Sequence, residues 1–576
     1  MNEEEALKEI IFQIKEKNIT NQTSLNSLKR KISSKYRLKR IPTNIRILLS
    51  LPEDKMDQYR HILLTKPTRT ISGVSPVAIM TKPSKCPHGK CTFCVGGMNS
   101  PWGDVPQSYT GHEPTTMRGI RNDYDAYLQV FNRLQQYVLL GQSMDKIEII
   151  VMGGTFPAEP DDYQEEFILG TFNAMNDFSD LFFVENNDES TNDKKKSVFD
   201  FVKFKDFFFL PGEMHDPVRE NAIKTKLKEL KKKHTDAATT LEDAQLKNET
   251  SHVRCVALCI ETKPDWALLN HGNVMLRQGC TRVELGIQSV YDDVLKHVHR
   301  GHDAATSKKS IQVLRDLGFK INFHYMPGLP LTDRERDIAG MRQLFTDDDY
   351  KPDMIKFYPC MVGPGTPLYY QWKKGEFTPI DTEEAASRIA EIMNIIPEYC
   401  RVQRVQRDVP TKYWEAGVDK TNLRQYMNQT KEFVSRDIRA REPKGKKIEW
   451  DAVEIKVTEY TASGGTEFFI AAEDVKNDVI IGFARLRFPK EYLRSEIVEG
   501  SALLRELHVY GTATALGEQG NVQHKGWGQK LVKKAEEIAR SHDKTKMVVI
   551  SGVGVRRYYI DKLGYQKEGY YVVKSL

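Results

Sequence analysis

From about residue 74 the chain alternates short β-type apolar runs with amphipathic stretches at helical spacing, and this alternation constrains its fold more than any other feature. The strand candidates are Val74–Met80, Ile147–Met152, Val253–Glu261, Arg282–Ile287, Lys320–Tyr325 and Met354–Tyr358. Between them lie stretches such as Tyr163–Phe178, Tyr291–His299, Ala304–Leu317 and Arg334–Phe345. Six βα units in series predict an α/β fold with a parallel sheet and right-handed crossovers, either a partial barrel or a doubly wound sheet. In such barrels chemistry collects at the C-terminal ends of the strands. The loop after the first strand and the Gly153-Gly154-Thr155 turn after the second both fall at that end.

The first of these loops reads Cys86-Pro87-His88-Gly89-Lys90-Cys91-Thr92-Phe93-Cys94 and holds three of the chain's eight cysteines. Thiolates are soft ligands, and three in so short a span suit one face of a four-iron cluster, leaving one iron open to a small molecule. Radical S-adenosylmethionine enzymes cleave their cofactor with this arrangement, and the spacing here is a variant of theirs. The alternative is a tetrahedral zinc site formed by the three cysteines and His88. Against it, the short loop is expected to limit the reach of His88, and no second ligand pair lies nearby. Cys255, Cys259, Cys280, Cys360 and Cys400 read as core or loop residues.

At 576 residues the chain should form about three domains. Its N-terminus is acidic (Met1-Asn2-Glu3-Glu4-Glu5) and no run of about 18 apolar residues occurs, so a soluble, cytoplasmic protein with no membrane span is expected. Net charge is only +6, but Lys29–Arg46 carries eight basic residues and no acidic one. Such a run is either a solvated face or a phosphate-binding arm. The expected organisation is a basic N-terminal arm (1–73) and a radical S-adenosylmethionine domain (74–396) with an exposed, partly helical insertion (186–251), disordered at its start. A basic linker (397–449) follows, with Arg401, Arg404, Arg407, Lys412, Arg424, Arg436, Arg439 and Arg441, and then a second α/β domain (450–576).

In that second domain, Gln523-His524-Lys525-Gly526-Trp527-Gly528 connects a strand ending near Tyr510 to a helix from about Gly528 to Ser541. Glycines there let backbone N–H groups approach a pyrophosphate at a helix N-terminus. The order of strand, glycine loop, helix and strand resembles the acyl-coenzyme A site of GNAT-type acetyltransferases. In that family the preceding strand, here Arg505–Gly511, pairs with the pantetheine arm. A tyrosine after the next strand lies near the thioester sulfur, which points to Tyr558, while Tyr559 reads as packing.

The pairing of these two domains resembles the family of Elongator catalytic subunits, which form carboxymethyl groups on tRNA wobble uridines. The likeness runs from about Lys66 to the C-terminus apart from the insertion. It rests on Lys66-Pro67-Thr68-Arg69-Thr70, Ser108-Tyr109-Thr110-Gly111, Glu113-Pro114-Thr115, Val151–Phe156, Glu261-Thr262-Lys263-Pro264-Asp265, Gly286–Val290, Arg300-Gly301-His302, Arg404–Asp408, Arg505–Gly511 and Ser551-Gly552-Val553-Gly554. The resemblance implies a radical S-adenosylmethionine partial (βα)6 barrel followed by a GNAT-type domain, with a 4Fe-4S cluster, S-adenosyl-L-methionine and acetyl-CoA as cofactors. It implies hydrogen abstraction from the acetyl methyl group, addition to C5 of the wobble uridine, and thioester hydrolysis.

By position, Cys86, Cys91 and Cys94 would hold the cluster, and Gly153-Gly154 would approach the methionine end of S-adenosylmethionine. Lys146, Glu506, Leu507, His508, Val509, Gly526, Trp527, Gly528 and Tyr558 would bind acetyl-CoA, with Lys146 and Tyr558 also catalytic. The arm and the basic linker would grip the anticodon stem-loop of tRNA, and the candidate assembly is a homodimer. Ser435 stands where some relatives carry a cysteine, so no zinc site is expected there. Three rivals remain open: a protein lysine acetyltransferase with a structural iron–sulfur cluster, a radical enzyme whose second domain only senses coenzyme A, and a tRNA-binding scaffold.

Overall fold

The computed structural model describes residues 2–51, 59, 62–63, 73–185, 197–212, 216–406, 409–444, 446–511 and 526–576. The expected strands all form, each within one residue of the predicted ends: β1 (Ser75–Met80), β2 (Lys146–Met152), β3 (Arg254–Thr262), β4 (Arg282–Gln288), β5 (Lys320–Tyr325) and β6 (Met354–Phe357). A seventh, β7 (Arg401–Arg404), comes from the stretch read as linker. All seven pair in parallel and in chain order, giving an open half-barrel. Helices cover its outer face, so its strands are near-continuous apolar runs. The charged residues that interrupt those runs therefore stand out.

The basic N-terminal segment is folded. Helices α1 (Asn2–Glu16), α2 (Gln22–Lys35) and α3 (Asn44–Leu49) bury Ala6, Leu7, Ile10, Ile14, Leu25, Leu28 and Ile32 in a small core of their own. Their helical spacing puts these residues on one stripe per helix. Asn21 and Thr43 cap α2 and α3 by accepting from Ser24 N and Arg46 N. The insertion is also more integrated than its composition predicts. Phe199, Phe204 and Phe208 pack on Phe182, and Leu227, Leu241 and Ala244 join the main core. Its start, 186–196, lies outside the described residues.

The second sheet is mixed. Strands β8 (Val453–Ala462), β9 (Gly465–Asp474), β10 (Val479–Phe488) and β11 (Ser501–Val509) run antiparallel in order. Strand β12 (Lys546–Val549) pairs in parallel with β11, and β14 (Tyr571–Ser575) and β13 (Gln566–Glu568) complete the edge. This sheet packs against the N-terminal ends of the barrel strands. At Gly552 the approach is so close that a Cβ would lie 1.9 Å from the Val256 carbonyl oxygen. Among the described residues no helix is long and apolar enough to cross a membrane.

The interface between the two sheets is ionic and dry. Arg505 donates to Asp353 through Nη1 and Nη2 at 2.9 and 2.8 Å, and to Glu467 at 3.1 and 2.9 Å. Arg315 donates to Glu467 at 2.9 Å, Arg487 to Asp316 at 2.8 Å, and Arg485 to Glu506 at 2.8 Å. Four guanidinium groups thus balance four carboxylates, all of them fully buried except Glu506, which reaches the edge of a cavity. Burial alone would raise the Asp353 carboxyl, but Arg505, Arg485 and Arg315 hold it far below the usual carboxylate range. Lys320 and Arg485 likewise hold Glu506 at about 2 against burial.

Removing one charge from such a network strands its partners. Asp353→Asn should therefore destabilise the domain interface by about 3–5 kcal/mol, read as a lower urea midpoint. A depressed carboxylate stabilises fully above its unfolded value and loses that contribution as pH falls through its folded one. Wild-type stability should therefore fall as pH drops from 4.5, the ordinary value for Glu506, toward 2, with Asp353 adding to the fall below 3.8, and the variant should show a flatter limb below 3.8.

Candidate active site

At the C-terminal ends of the barrel strands a cavity is lined by Cys86, Cys91 and Cys94, with Gln107, Gly154, Glu261, Lys263, Arg300 and Lys356 around it. The turn at Gly89 (φ +88°) brings the Gly89 N–H onto Cys86 O, and Cys94 N–H bonds Cys91 O, folding the loop back on itself. Cys91, Phe93 and Cys94 pack on Val294, Val298, Met326 and Leu368, so the thiols have an apolar backing. Cys94 Sγ lies 3.3 Å from both Gln107 Oε1 and Ser108 Oγ, and Arg300 Nη1 lies 3.7 Å from Cys91 Sγ. Arg300 is itself anchored on Gly286 O at 2.7 Å.

His88 reaches farther than its loop position suggests. Its Nδ1 lies 3.0 Å from Cys86 Sγ and its Nε2 3.2 Å from Cys91 Sγ. Each ring nitrogen faces a different sulfur, so the imidazole spaces the thiols and does not share one ion with both. A single zinc with Zn–S bonds of about 2.3 Å would draw its sulfurs to about 3.8 Å. Among the described residues, the one group of three or more such ligands within 4.8 Å is Glu261, Glu284 and His324, not the cysteines. Wider-spaced thiols, an apolar floor and the nearby cations Arg300 and Lys263 suit a cluster with net negative charge.

Below the thiols the lumen holds ion pairs that sequence reading left without a role. Tyr109 OH donates to Glu261 at 2.9 Å, Lys356 Nζ contacts Glu284 and lies 3.8 Å from Glu261, and His324 Nε2 is 2.9 Å from Glu284. Burial would raise Glu284, but Lys356, His324 and Arg282 hold it well below the carboxylate range. Burial raises Glu261 to about 7 and lowers His324 to about 4. The Lys356 ammonium supplies the positive charge that a cation would bring to these carboxylates. The available signal was charge inside strand cores: Glu148, Arg282, Glu284 and Lys356 interrupt otherwise apolar runs.

A second cavity, of about 950 Å³, opens between the second sheet and the N-terminal ends of the barrel strands. Lys146, Glu506, Leu507, His508, Val509, Gly526, Gly528 and Tyr558 line it. Strand β11 is bent here by a bulge: Leu486 faces Leu504 and Arg485 faces Glu506, leaving Arg505 as the extra residue. Pairing with β12 stops at Leu504, so among the described residues no strand covers that edge of β11 beyond it. An open backbone edge suits the amides of a pantetheine arm.

The Glu506 carboxylate is turned to Lys320 and Arg485, leaving its main chain to the cavity. Burial lowers His508 to about 4 and shifts Lys146 downward. Gly526 (φ +72°) caps the helix Trp527–Ser541. A Cβ on Gly528 would lie 2.8 Å from Tyr558 Oη, so the glycine admits the hydroxyl to the helix N-terminus. Trp527 packs on the second core with Lys530 Nζ 4.2 Å over its ring and does not line the cavity. Tyr559 is buried in that core. Gln523, His524 and Lys525 lie outside the described residues, as do Lys66–Thr70, Arg407 and Asp408.

The two basic stretches differ. Arg401 pairs with Glu442, Arg436 with Glu398, and Arg441 with Glu473, while Arg424 and Arg439 bond backbone carbonyls. These arginines are engaged within the fold. In the N-terminal unit Lys31, Arg37, Lys39 and Arg40 are exposed.

Family models match along the chain: the ELP3 N-terminal domain over 3–71, the Radical SAM superfamily over 205–341, the Radical_SAM C-terminal domain over 352–433 and the Acetyltransferase (GNAT) family over 431–565. The tRNA uridine(34) acetyltransferase of Methanocaldococcus infernus is 42% identical over 549 residues, covering 93% of this chain and 92% of that protein. Elongator complex protein 3 of Saccharomyces cerevisiae is 36% identical over 579 residues, covering 97% and 93%. The solved structure of Methanocaldococcus infernus Elp3, lacking residues 1–46, superposes with a TM-score of 0.69 at 37% identity, over 88% of this chain and all of that one. With a thiol-lined half-barrel joined to a GNAT sheet and likeness over nearly its whole length, the chain belongs to the Elp3 family of radical S-adenosylmethionine and acetyltransferase proteins.

Proposed function

We propose that the protein installs a carboxymethyl group at C5 of the anticodon wobble uridine of tRNA, using a 4Fe-4S cluster, S-adenosyl-L-methionine and acetyl-CoA. The observation that carries this reading is the placement of a three-thiol cavity and an open-edged coenzyme cavity at the two ends of one barrel. Uridine C5 is a poor nucleophile toward a thioester carbonyl, so ordinary acyl transfer cannot make this bond. The bound cluster and S-adenosylmethionine supply hydrogen-atom abstraction.

The chain's own residues bind and orient. Cys86, Cys91 and Cys94 hold the cluster, with Arg300 and Lys263 offsetting its charge. Gly153-Gly154 takes the methionine end of S-adenosylmethionine. Lys146, the main chain of Glu506–Val509 and the Gly526–Gly528 turn hold the coenzyme, with Tyr558 near its sulfur. Exposed Lys31, Arg37, Lys39 and Arg40 meet tRNA phosphates. The Glu506 carboxylate, held by Lys320 and Arg485, is not free to act as the base a lysine acetyltransferase would need.

In anaerobic, reconstituted enzyme with reductant, S-adenosylmethionine, carbon-labelled acetyl-CoA and tRNA, mass spectrometry should find labelled 5-carboxymethyluridine, and Cys91→Ala should abolish it. Labelled protein lysine with no labelled nucleoside would sink the reading. Gly528→Val should weaken acetyl-CoA binding at least tenfold, about 1.4 kcal/mol by calorimetry, while 5′-deoxyadenosine release is retained. Replacing Arg37, Lys39 and Arg40 together by glutamine should lower tRNA affinity and make the slope of log K against log salt shallower by about 2–3. An unchanged slope would remove this surface from the tRNA site.

A further inference from the structure

The two cavities are separated by one layer of side chains. Glu148 and Arg282 line the coenzyme cavity, and Glu284 and Lys356 line the thiol cavity. Yet the four are in contact: Arg282 with Glu148, Arg282 Nη2 with Glu284 Oε1 at 3.2 Å, and Glu284 with Lys356. We infer that the barrel lumen is the passage by which the acyl end of the coenzyme reaches the thiol cavity, and that this ion-paired layer is the gate across it. The inference rests on the function proposed above.

Three observations support it. The coenzyme edge lies at the N-terminal ends of the barrel strands and the thiols at their C-terminal ends. A strand such as β2, seven residues long, separates the ends by roughly 20 Å at about 3.3 Å per residue. The acyl methyl must cross that distance, and the lumen is the direct route. Second, the layer is made of charge where the helix-covered side of the same strands is apolar, with Ile147, Ile149, Val151, Val283, Leu285 and Ile355. An apolar plug would be at least as stable, because burying ion pairs is costly. Charged groups can instead exchange partners, and the amides of a pantetheine arm offer donors to Glu148 and Glu284 and acceptors to Arg282 and Lys356. Third, the layer is incompletely satisfied when shut: Arg282 Nη2 and Glu284 Oε1 are near each other, but neither has an aligned hydrogen bond.

The test maps where the acyl end goes. Reconstituted holoenzyme is photolysed with a coenzyme A thioester bearing a diazirine in a short acyl chain, with and without tRNA, and labelled peptides are identified by mass spectrometry. The passage predicts insertion at Glu284, Lys356 or Tyr109, on the thiol side of the layer. Labels confined to Lys146, Arg254 or Tyr558 would overturn it while leaving the coenzyme site standing. No label at either set would overturn the coenzyme reading itself, and the passage with it. The apolar pair Glu148→Met/Arg282→Met, which cannot exchange contacts with the amides of the arm, should lower thiol-side labelling severalfold relative to the label on Tyr558, the internal measure of bound coenzyme. Unchanged thiol-side labelling in that folded variant would overturn the gate.

Discussion

The Arg505 guanidinium lies between a carboxylate of the barrel, Asp353, and one of its own sheet, Glu467, and the cavity between the two sheets takes its position from it. A planar fork with five donors can satisfy two carboxylates at once and cannot shed its charge, which suits it to a dry interface. The bulge that turns Arg505 toward Asp353 also ends the pairing of β11 with β12. One local irregularity therefore docks the second sheet and opens the strand edge that faces the coenzyme cavity. Such a network adds orientation more than net stability, since its attraction is set against the desolvation of eight charges.

That docking decides which end of the barrel the second cavity occupies. The thiol loop must follow β1, so it lies at the C-terminal ends, where parallel strands present their loops. The N-terminal ends are left to the second sheet. The barrel thereby becomes a wall shared by two cavities, and its interior residues face one or the other.

Much of this architecture is legible in the sequence, and the failures have physical causes. The six apolar strands announce themselves because a parallel sheet covered by helices needs continuous hydrophobic runs. Strand β7, Arg-Val-Gln-Arg, is an edge strand of four residues with one apolar side chain, and it reads as a solvated linker until Glu442 is seen beside Arg401 and Asp437 accepting from Val402 N. The insertion looks exposed because of its lysine runs, Lys194–Lys196 and Lys231–Lys233, yet a few phenylalanines suffice to anchor it on Phe178 and Phe182. The three cysteines line one cavity, and Lys146, Gly526, Gly528 and Tyr558 line the other. The reach of His88 could not be read, because loop curvature depends on the Gly89 turn and not on residue count.

The lumen charges were in plain view but had no local pattern to join them. Glu148, Arg282, Glu284 and Lys356 are scattered over more than two hundred residues, and each alone reads as an accident in an apolar strand. Register makes them neighbours: Glu284 stands opposite Glu261 on one side, and Lys356 stands opposite His324 and Arg404. A carboxylate at 0% exposure persists only where cations surround it, so each such strand residue implies a partner on another strand. Pairing acidic and basic residues at strand interiors across a predicted parallel register would have located this layer. An ionic lumen between two cavities then has a use that a hydrophobic lumen lacks, because its contacts can be exchanged for those of a polar chain without exposing apolar surface.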